Sequence, residues 1–243
     1  IIFLKKMHKI SCVISCLNES KNLYLLIKEI KKFKVEKNFE FFIINNGSND
    51  NSKIIFVNLA KKYKSINFFN LKKNLGWGNG ILEGLKHTKS NIVGWTHGDL
   101  EYSLKSLKKV EKLINSNRLF FENKKNYFIK GFRINRKFTK SIISDMMAFL
   151  CSFILTTRMK EINSQPFFFH RKEFLSWKKP FKDLSLDMYA LYKMKKKNYL
   201  EYRIEVQQNE RIHGKSSWRK NFFSIFKLSI KFISCALKLR LWQ

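Results

Sequence analysis

The sequence predicts an α/β fold built on a mostly parallel sheet flanked by helices. Three observations carry that expectation. Short apolar runs alternate with helical stretches through the first half of the chain, and the turns between them are rich in Asn, Gly and Ser. At 243 residues with 44% hydrophobic content, the chain is long enough for one large domain with a sizeable core.

Ile10–Ser15 reads as a strand, and Asn18-Glu19-Ser20 starts a helix whose Leu23, Leu26, Ile27 and Ile30 recur at helical spacing. Phe39–Ile44 repeats the strand signal and ends in the turn Asn45-Asn46-Gly47-Ser48-Asn49-Asp50, with a helix following to about Lys64. A third strand, Ile66–Leu71, leads through a Gly-rich segment at residues 74–80 into a helix carrying Ile81, Leu82 and Leu85. Ile92–Thr96 is the fourth strand. This rhythm implies parallel pairing with right-handed crossovers, and such sheets bind ligands beyond the carboxyl ends of their strands. Beyond residue 120 the expected order is a strand at Tyr127–Phe132, a basic stretch, a helix near Ser144–Leu155 and a strand at Pro166–His170. A helix at Asp183–Lys196 and a last strand at Tyr199–Val206 complete it, without internal repeats.

Composition narrows the class. With 2 Pro and 9 Gly, disordered, collagen-like and linker-dominated chains are excluded. The formal charge of +31 attracts phosphate-bearing partners, although 40 of the 49 cations are Lys and accompany abundant Asn, Ile and Phe, as a biased nucleotide composition also produces. Cys12, Cys16, Cys151 and Cys235 form no C-x-x-C pair and have no His at zinc-finger spacing, so reduced thiols are expected rather than disulfides or structural zinc. Met7 precedes the first strand, leaving residues 1–6 as a candidate non-native or read-through segment, and Ile1–Leu4 is too short for a signal peptide's apolar region.

Gly76-x-Gly78-x-Gly80 lacks dinucleotide-fingerprint spacing, since position 81 is Ile81, and no phosphate-binding G-x-x-x-x-G-K-[ST] loop occurs. His97-Gly98-Asp99-Leu100-Glu101 directly follows the fourth strand. Carboxylates there can hold Mg²⁺ or Mn²⁺ against a diphosphate and compensate the charge gathering on it, or merely cap a helix.

Taken in order, Ser15-Cys16-Leu17-Asn18-Glu19, Asn45-Asn46-Gly47-Ser48-Asn49-Asp50, Asn74-x-Gly76-x-Gly78 and His97-Gly98-Asp99-Leu100-Glu101 resemble the motifs of glycosyltransferase family 2. The resemblance spans residues 8–218 and implies a Rossmann-like GT-A domain over residues 1–218. It implies that Ser15, Leu17, Asn18, Glu19, Asn45, Ser48, Gly76, His97 and Gly98 bind a nucleotide sugar. Asp99 becomes a donor-site and metal residue, with Glu101 as a second metal ligand. Asn45 and Asn46 replace acidic residues of the pattern, which leaves the base unassigned, and His97 replaces its first Asp, as a metal ligand, a ribose partner or a structural ring.

Lys130-Gly131-Phe132-Arg133-x-x-Arg136, Asn163-Ser164-Gln165-Pro166 and Arg211-x-x-Gly214-x-Ser216 resemble the polyprenyl-phosphate branch, which includes dolichyl-phosphate mannose synthases. That likeness implies that Arg133 and Arg136 grip an acceptor phosphate, as guanidinium forks suit phosphate oxygens. Arg211 and Ser216 then lie on a loop closing over the diphosphate. Asp187 matches the family's general base toward a sugar hydroxyl; a phosphate acceptor is already anionic, and Asp187 is then a helix-start carboxylate.

From Arg219 to Trp242, Lys220, Ser224, Lys227, Lys231, Ser234 and Lys238 form one polar stripe on a helix otherwise rich in Phe, Ile and Leu. Its lysines nearly cancel the roughly 3–7 kcal/mol that its apolar residues gain on insertion, so residues 219–243 are expected in the membrane interface rather than across the bilayer, with packing against the domain or a partner subunit as the alternative. The expectation is a metal-dependent inverting transferase, peripheral at the inner face of the cytoplasmic membrane, moving sugar to a polyprenyl phosphate and binding no nucleic acid. A transferase acting on a glycan hydroxyl and an inactive nucleotide-sugar-binding scaffold are the alternatives.

Overall fold

Strand β1 (Ile10–Cys16) is buried along its whole length, as a central strand covered on both faces must be. It pairs in parallel with β2 (Phe39–Asn45) on one side and β4 (Ile92–His97) on the other, and β2 pairs in parallel with β3 (Ile66–Asn70). The computed structural model describes residues 10–116, 126–136, 138–213 and 222–242. Parallel neighbours need crossover connections, which here are α1 (Ser20–Lys32), α2 (Ser52–Lys62) and α3 (Trp77–His87). The Leu23, Leu26, Ile27 and Ile30 stripe of α1 is buried as its spacing requires.

After α4 (Lys105–Asn115) the sheet continues through β5 (Tyr127–Ile134), β6 (Phe167–His170) and β7 (Leu200–Gln207). The seven strands stand in the order β3-β2-β1-β4-β6-β5-β7, and β6 alone runs against its neighbours. The helices of this half are α5 (Phe138–Leu155), α6 (Arg171–Leu175), α7 (Leu186–Lys196) and α8 (Phe222–Leu241).

Alternation along the strands sends Ile10, Cys12 and Ile14 to one face with α1, α2 and α4. Val13, Trp95 and Phe128 go to the other, with α3, α5, α7 and α8. All four cysteines are free and buried in these layers.

Two boundaries differ from expectation for local reasons. Helix α5 starts six residues before Ser144, because Thr139-Lys140-Ser141 carries no apolar periodicity to signal it. Helix α7 starts at Leu186 because the Asp183 carboxylate accepts a 2.8 Å bond from the Ser185 amide and holds the preceding turn.

Helix α8 packs on α5, burying Phe232, Cys235, Ala236 and Leu239 in the core it shares with α5 and α7. Lys227, Lys231 and Lys238 of the expected polar stripe are exposed, while Lys220 lies outside the described residues. The two helices also leave large apolar side chains in solvent, notably Phe149 (71% exposed) and Phe153 (76%) on α5 and Phe226 and Ile230 on α8. No helix among the described residues is long and apolar enough to cross a membrane.

Phe168 on β6 has its ring 5.7 Å from that of Phe39, edge-on, and is fully buried. Phe168→Ala is expected to destabilise the fold by roughly 3–5 kcal/mol through lost contacts and a residual cavity, read as a lower urea midpoint at unchanged m-value.

Candidate active site

The carboxyl ends of β1, β2 and β4 open on a cleft of about 700 Å³, within the range of small-molecule sites. Its walls include the expected Ser15, Leu17, Asn18, Glu19, Gly76, His97, Gly98, Asp99 and Arg211. Asn18 adopts a left-handed φ of 56°, which turns the loop after β1 toward the loop after β2. There its amide donates to Ser48 Oγ at 2.9 Å, and its side-chain oxygen accepts from the Asn49 amide at 3.0 Å.

Asn45 and Ser48 stand behind the wall rather than in it. The Asn45 side-chain oxygen accepts from the Ser48 amide at 3.1 Å, and its Nδ2 donates to Asn70 at 2.8 Å. Asn46 does reach the cleft, donating to the Gly76 carbonyl at 2.9 Å. Gly76 has φ of 103°, and a Cβ there would collide with the Lys182 carbonyl, so the start of α3 requires glycine.

At the end of β4, His97 lies between the rings of Trp77 and Tyr102, with centroids 5.3 and 5.7 Å away. Leu100 is left-handed at φ 59°, a strained conformation for a branched residue. The turn it makes lets the Glu101 amide donate to Asp99 Oδ1 at 3.1 Å and brings both carboxylates to one cation. That cation is Arg211: its Nη2 lies 2.6 Å from Asp99 Oδ2 and its Nε 2.7 Å from Glu101 Oε1. Gln208 Nε2 donates to Glu101 Oε2 at 2.9 Å. Burial pushes the Glu101 carboxyl up, but the bonds from Arg211 and Gln208 and the Arg211 charge outweigh it and leave it below the usual range. Burial likewise opposes the Arg211 charge, and Asp99 and Glu101 more than restore it.

Among the described residues no three His, Cys, Asp or Glu side chains gather into a metal cage. Two carboxylates converging on one cation position nevertheless fit Mg²⁺ or Mn²⁺, which usually keep one or two carboxylates and complete their shell with water and phosphate oxygens.

The remaining expected residues fall elsewhere. Arg133 and Arg136 lie outside the cleft wall and share Glu161, at 2.5 Å from Arg133 Nε and 3.3 Å from Arg136 Nη1. Arg133, 8% exposed, also hydrogen-bonds the Tyr102 phenol. Glu161 is itself left-handed, at φ 55°.

Asp187 is 1% exposed and does not line the cleft. It accepts from Trp95 Nε1 at 2.8 Å and from Gln165 Nε2 at 2.9 and 3.1 Å. Burial raises its carboxyl above the usual range, against the opposing charges of Lys130 and His97 and the bonds from Trp95 and Gln165. Asp187 sits in the first turn of α7, where the loop entering the antiparallel β6 brings Gln165 over it. Ser216 lies outside the described residues.

The cleft also holds Asn22, Trp77, Leu184 and His213, which were not expected. Trp77 sits inside the quoted Gly-rich segment and His213 inside the Arg211-to-Gly214 stretch, so both had a local signal. Leu184 had none, being brought in only by the close packing of Gly78 against Asp183.

Glu19 titrates at about 7, raised first by burial and further by Asp99 and Asp50, against the bond from Asn22 and the Arg211 charge. A carboxyl raised in the folded state binds its proton there first, so its contribution to stability is full below the unfolded value near 4.5 and is lost as pH rises through 7. Urea unfolding of wild type should therefore show a component that weakens between pH 4.5 and 7, and Glu19→Gln should lack it. A wild-type profile that strengthens over that window, relative to the variant, would contradict the assignment.

The profile of Glycosyl transferase family 2 matches residues 11–185. Among curated proteins, two dolichyl-phosphate beta-glucosyltransferases of Trichomonas vaginalis are 30% identical over 114 residues and 27% identical over 111. These matches cover 44% and 43% of this chain, and span only about a third of each relative's length (35% and 33%). Glucosyl-3-phosphoglycerate synthase of Mycobacterium tuberculosis, solved with Mn²⁺ and UDP-glucose, superposes over 96% of this chain and 79% of its own, with a TM-score of 0.66 at 16% identity. A Pyrobaculum calidifontis mannosyltransferase, solved with GDP-mannose and Mn²⁺, superposes over 93% of this chain and 65% of its own, with a TM-score of 0.64 at 12% identity. The fold is therefore GT-A, and the chain belongs to glycosyltransferase family 2.

Proposed function

We propose that this chain transfers a sugar from a nucleoside-diphosphate sugar to a polyprenyl phosphate, with inversion at the anomeric carbon. The observation that carries the reading is the convergence of Asp99 and Glu101 on one cation position in a strand-end cleft large enough for a nucleotide sugar. The Mn²⁺ and nucleotide sugars of the solved neighbours support the donor, and the names of the curated relatives support the acceptor.

The loop at residues 17–19 and Asn46 hold the nucleoside, and Gly76 lets the backbone approach it closely. Mg²⁺ or Mn²⁺ on Asp99, with Glu101 as the second carboxylate, supplies electrostatic compensation for the departing diphosphate. Arg211 donates to the same oxygens, and Ser216 belongs to the same stretch. Positioning of donor and acceptor lowers much of the barrier, since a single displacement by a phosphate oxygen requires only alignment and charge compensation. A phosphate carries a charge of about −1.5 to −2 near neutral pH and needs no base. The burial of Asp187, with its carboxylate already engaged, favours this acceptor over a sugar hydroxyl. Arg133 and Arg136, gathered on the shared Glu161 carboxylate, offer their guanidinium groups to the acceptor's phosphate.

The lipid end of such an acceptor places the enzyme at the inner face of the cytoplasmic membrane. The exposed Phe149 and Phe153 of α5 and Phe226 and Ile230 of α8 form the contact, with Lys227 and Lys238 beside them adding about 1 kcal/mol each near an anionic surface.

Asp99→Asn should abolish the Mn²⁺-dependent rise in melting temperature given by a nucleoside diphosphate, and lower turnover by about 100-fold or more, the scale of losing one electrostatic stabiliser of the transition state. Full turnover in that variant would remove the basis of the proposal. In liposome flotation, Phe149→Asp with Phe153→Asp should release the protein from anionic vesicles. These substitutions leave the buried face of α8 intact, so persistent flotation would overturn the membrane reading.

A further inference from the structure

We infer that Arg211 is a built-in counter-ion that a divalent cation must displace, so that cation arrival releases the side-chain hold on the segment at residues 208–213 and hands Arg211 to the donor diphosphate. The inference rests on the reading of Asp99 and Glu101 as cation ligands, and adds what the chain does before the cation arrives.

The guanidinium does not fork onto one carboxylate. It spans two, with Nη2 on Asp99 at 2.6 Å and Nε on Glu101 at 2.7 Å, and so stands between the oxygens that a small hard cation would draw to about 2.0–2.2 Å. Both cannot hold the same position. The segment carrying Arg211 is fastened to the same turn: Gln208 forms a β-bridge with Tyr102, the Asn209 amide donates to the Glu101 carbonyl at 2.8 Å, and Gln208 Nε2 bonds the Glu101 carboxylate. At its far end, Asn22 Nδ2 donates to the His213 carbonyl at 3.2 Å. Moving the Glu101 carboxylate onto a cation therefore breaks both side-chain ties of the segment, those of Gln208 and Arg211, and leaves it on its backbone bonds to residues 101 and 102 and on the Asn22 bond at its far end.

The released guanidinium still lines the cleft, where diphosphate oxygens are its best remaining partners. Two consequences follow. The cation alone binds against the intact bridge and binds weakly. With a diphosphate present Arg211 is re-partnered, so cation and diphosphate reinforce each other's binding.

The test is Mn²⁺ binding to the full chain, followed by electron paramagnetic resonance with and without UDP or GDP, together with hydrogen–deuterium exchange of residues 208–213. Arg211→Ala should bind Mn²⁺ alone about tenfold more tightly than wild type, within the usual range of coupling between sites, and the enhancement by diphosphate should shrink by a similar factor. In wild type, Mn²⁺ alone should speed exchange at the Asn209 amide; in Arg211→Ala that amide should exchange fast from the outset.

Arg211→Lys keeps the charge but gives up the span of Nε on one carboxylate and Nη2 on the other, and should bind Mn²⁺ alone with an affinity between those of wild type and Arg211→Ala. If Arg211→Ala binds Mn²⁺ no more tightly than wild type, the displacement is refuted. Unchanged exchange at residues 208–213 on adding Mn²⁺ refutes it equally. Wild type that binds neither Mn²⁺ nor diphosphate, while melting cooperatively, would instead sink the reading of the site itself and the inference with it.

Discussion

Two carboxylates held next to each other at the end of a central strand must have a cation, and most of the site's construction follows from that requirement. Asp99 and Glu101 are brought together by the left-handed turn at Leu100, in surroundings where water compensates charge poorly. Left unpaired they would repel, and the turn would have little reason to persist. Arg211 meets the need in the chain as it stands and thereby draws a segment from more than 100 residues away across the mouth of the cleft. The strain at Leu100 and the reach of Arg211 are two sides of one electrostatic arrangement.

The chain's charge of +31 conceals a separation by depth. Most lysines are solvated, and their individual pairs, such as Lys32 with Glu29 or Lys86 with Glu83, contribute little to stability. The interior is different, because there almost every charge has a specific opponent. Glu161 answers both Arg133 and Arg136, and Asp187 faces the buried Lys130, whose ammonium donates to the Ser164 carbonyl and is lowered to about 8 chiefly by burial. Removing one member of such a set strands the other in low dielectric, which costs far more than the loss of a surface pair. The buried carboxylates thus sit where they organise cations.

The first half of the fold was legible because its strands are short apolar runs bounded by turn residues and its helices carry apolar stripes, and Ile10–Ser15 with the Leu23–Ile30 stripe is the clearest instance. The motif residues after β1 and β4 could be placed in the cleft because parallel topology alone sends every strand's carboxyl end to one edge. Depth was not legible. Asp187 and Asp99 are both aspartates next to a leucine in the sequence, yet Asp99 lines the cleft and Asp187 is sealed under Trp95 and Gln165. Asn45 and Asn46 are adjacent, and which of the two faces the cleft was settled only by the partners each found across the loops, Asn70 and Gly76. Helix α8 showed its polar stripe but not its third face, since the burial of Phe232 and Leu239 depends on α5 being there to receive them.

The reversal of β6 explains how the two halves of the site meet. Because β6 pairs antiparallel to β4 and β5, Phe167 at its start lies opposite both Trp95 and Lys130, toward the carboxyl ends of the parallel strands. The loop entering β6 is therefore delivered to the same edge as the cleft. That loop carries Glu161, which gathers Arg133 and Arg136, and Gln165, which clamps Asp187. A parallel β6 would have required a crossover and would have placed those residues at the opposite edge of the sheet. One antiparallel strand of four residues thus brings Glu161 to the arginine pair at the end of β5, with Tyr102 joining Arg133 on one side to the His97 ring on the other.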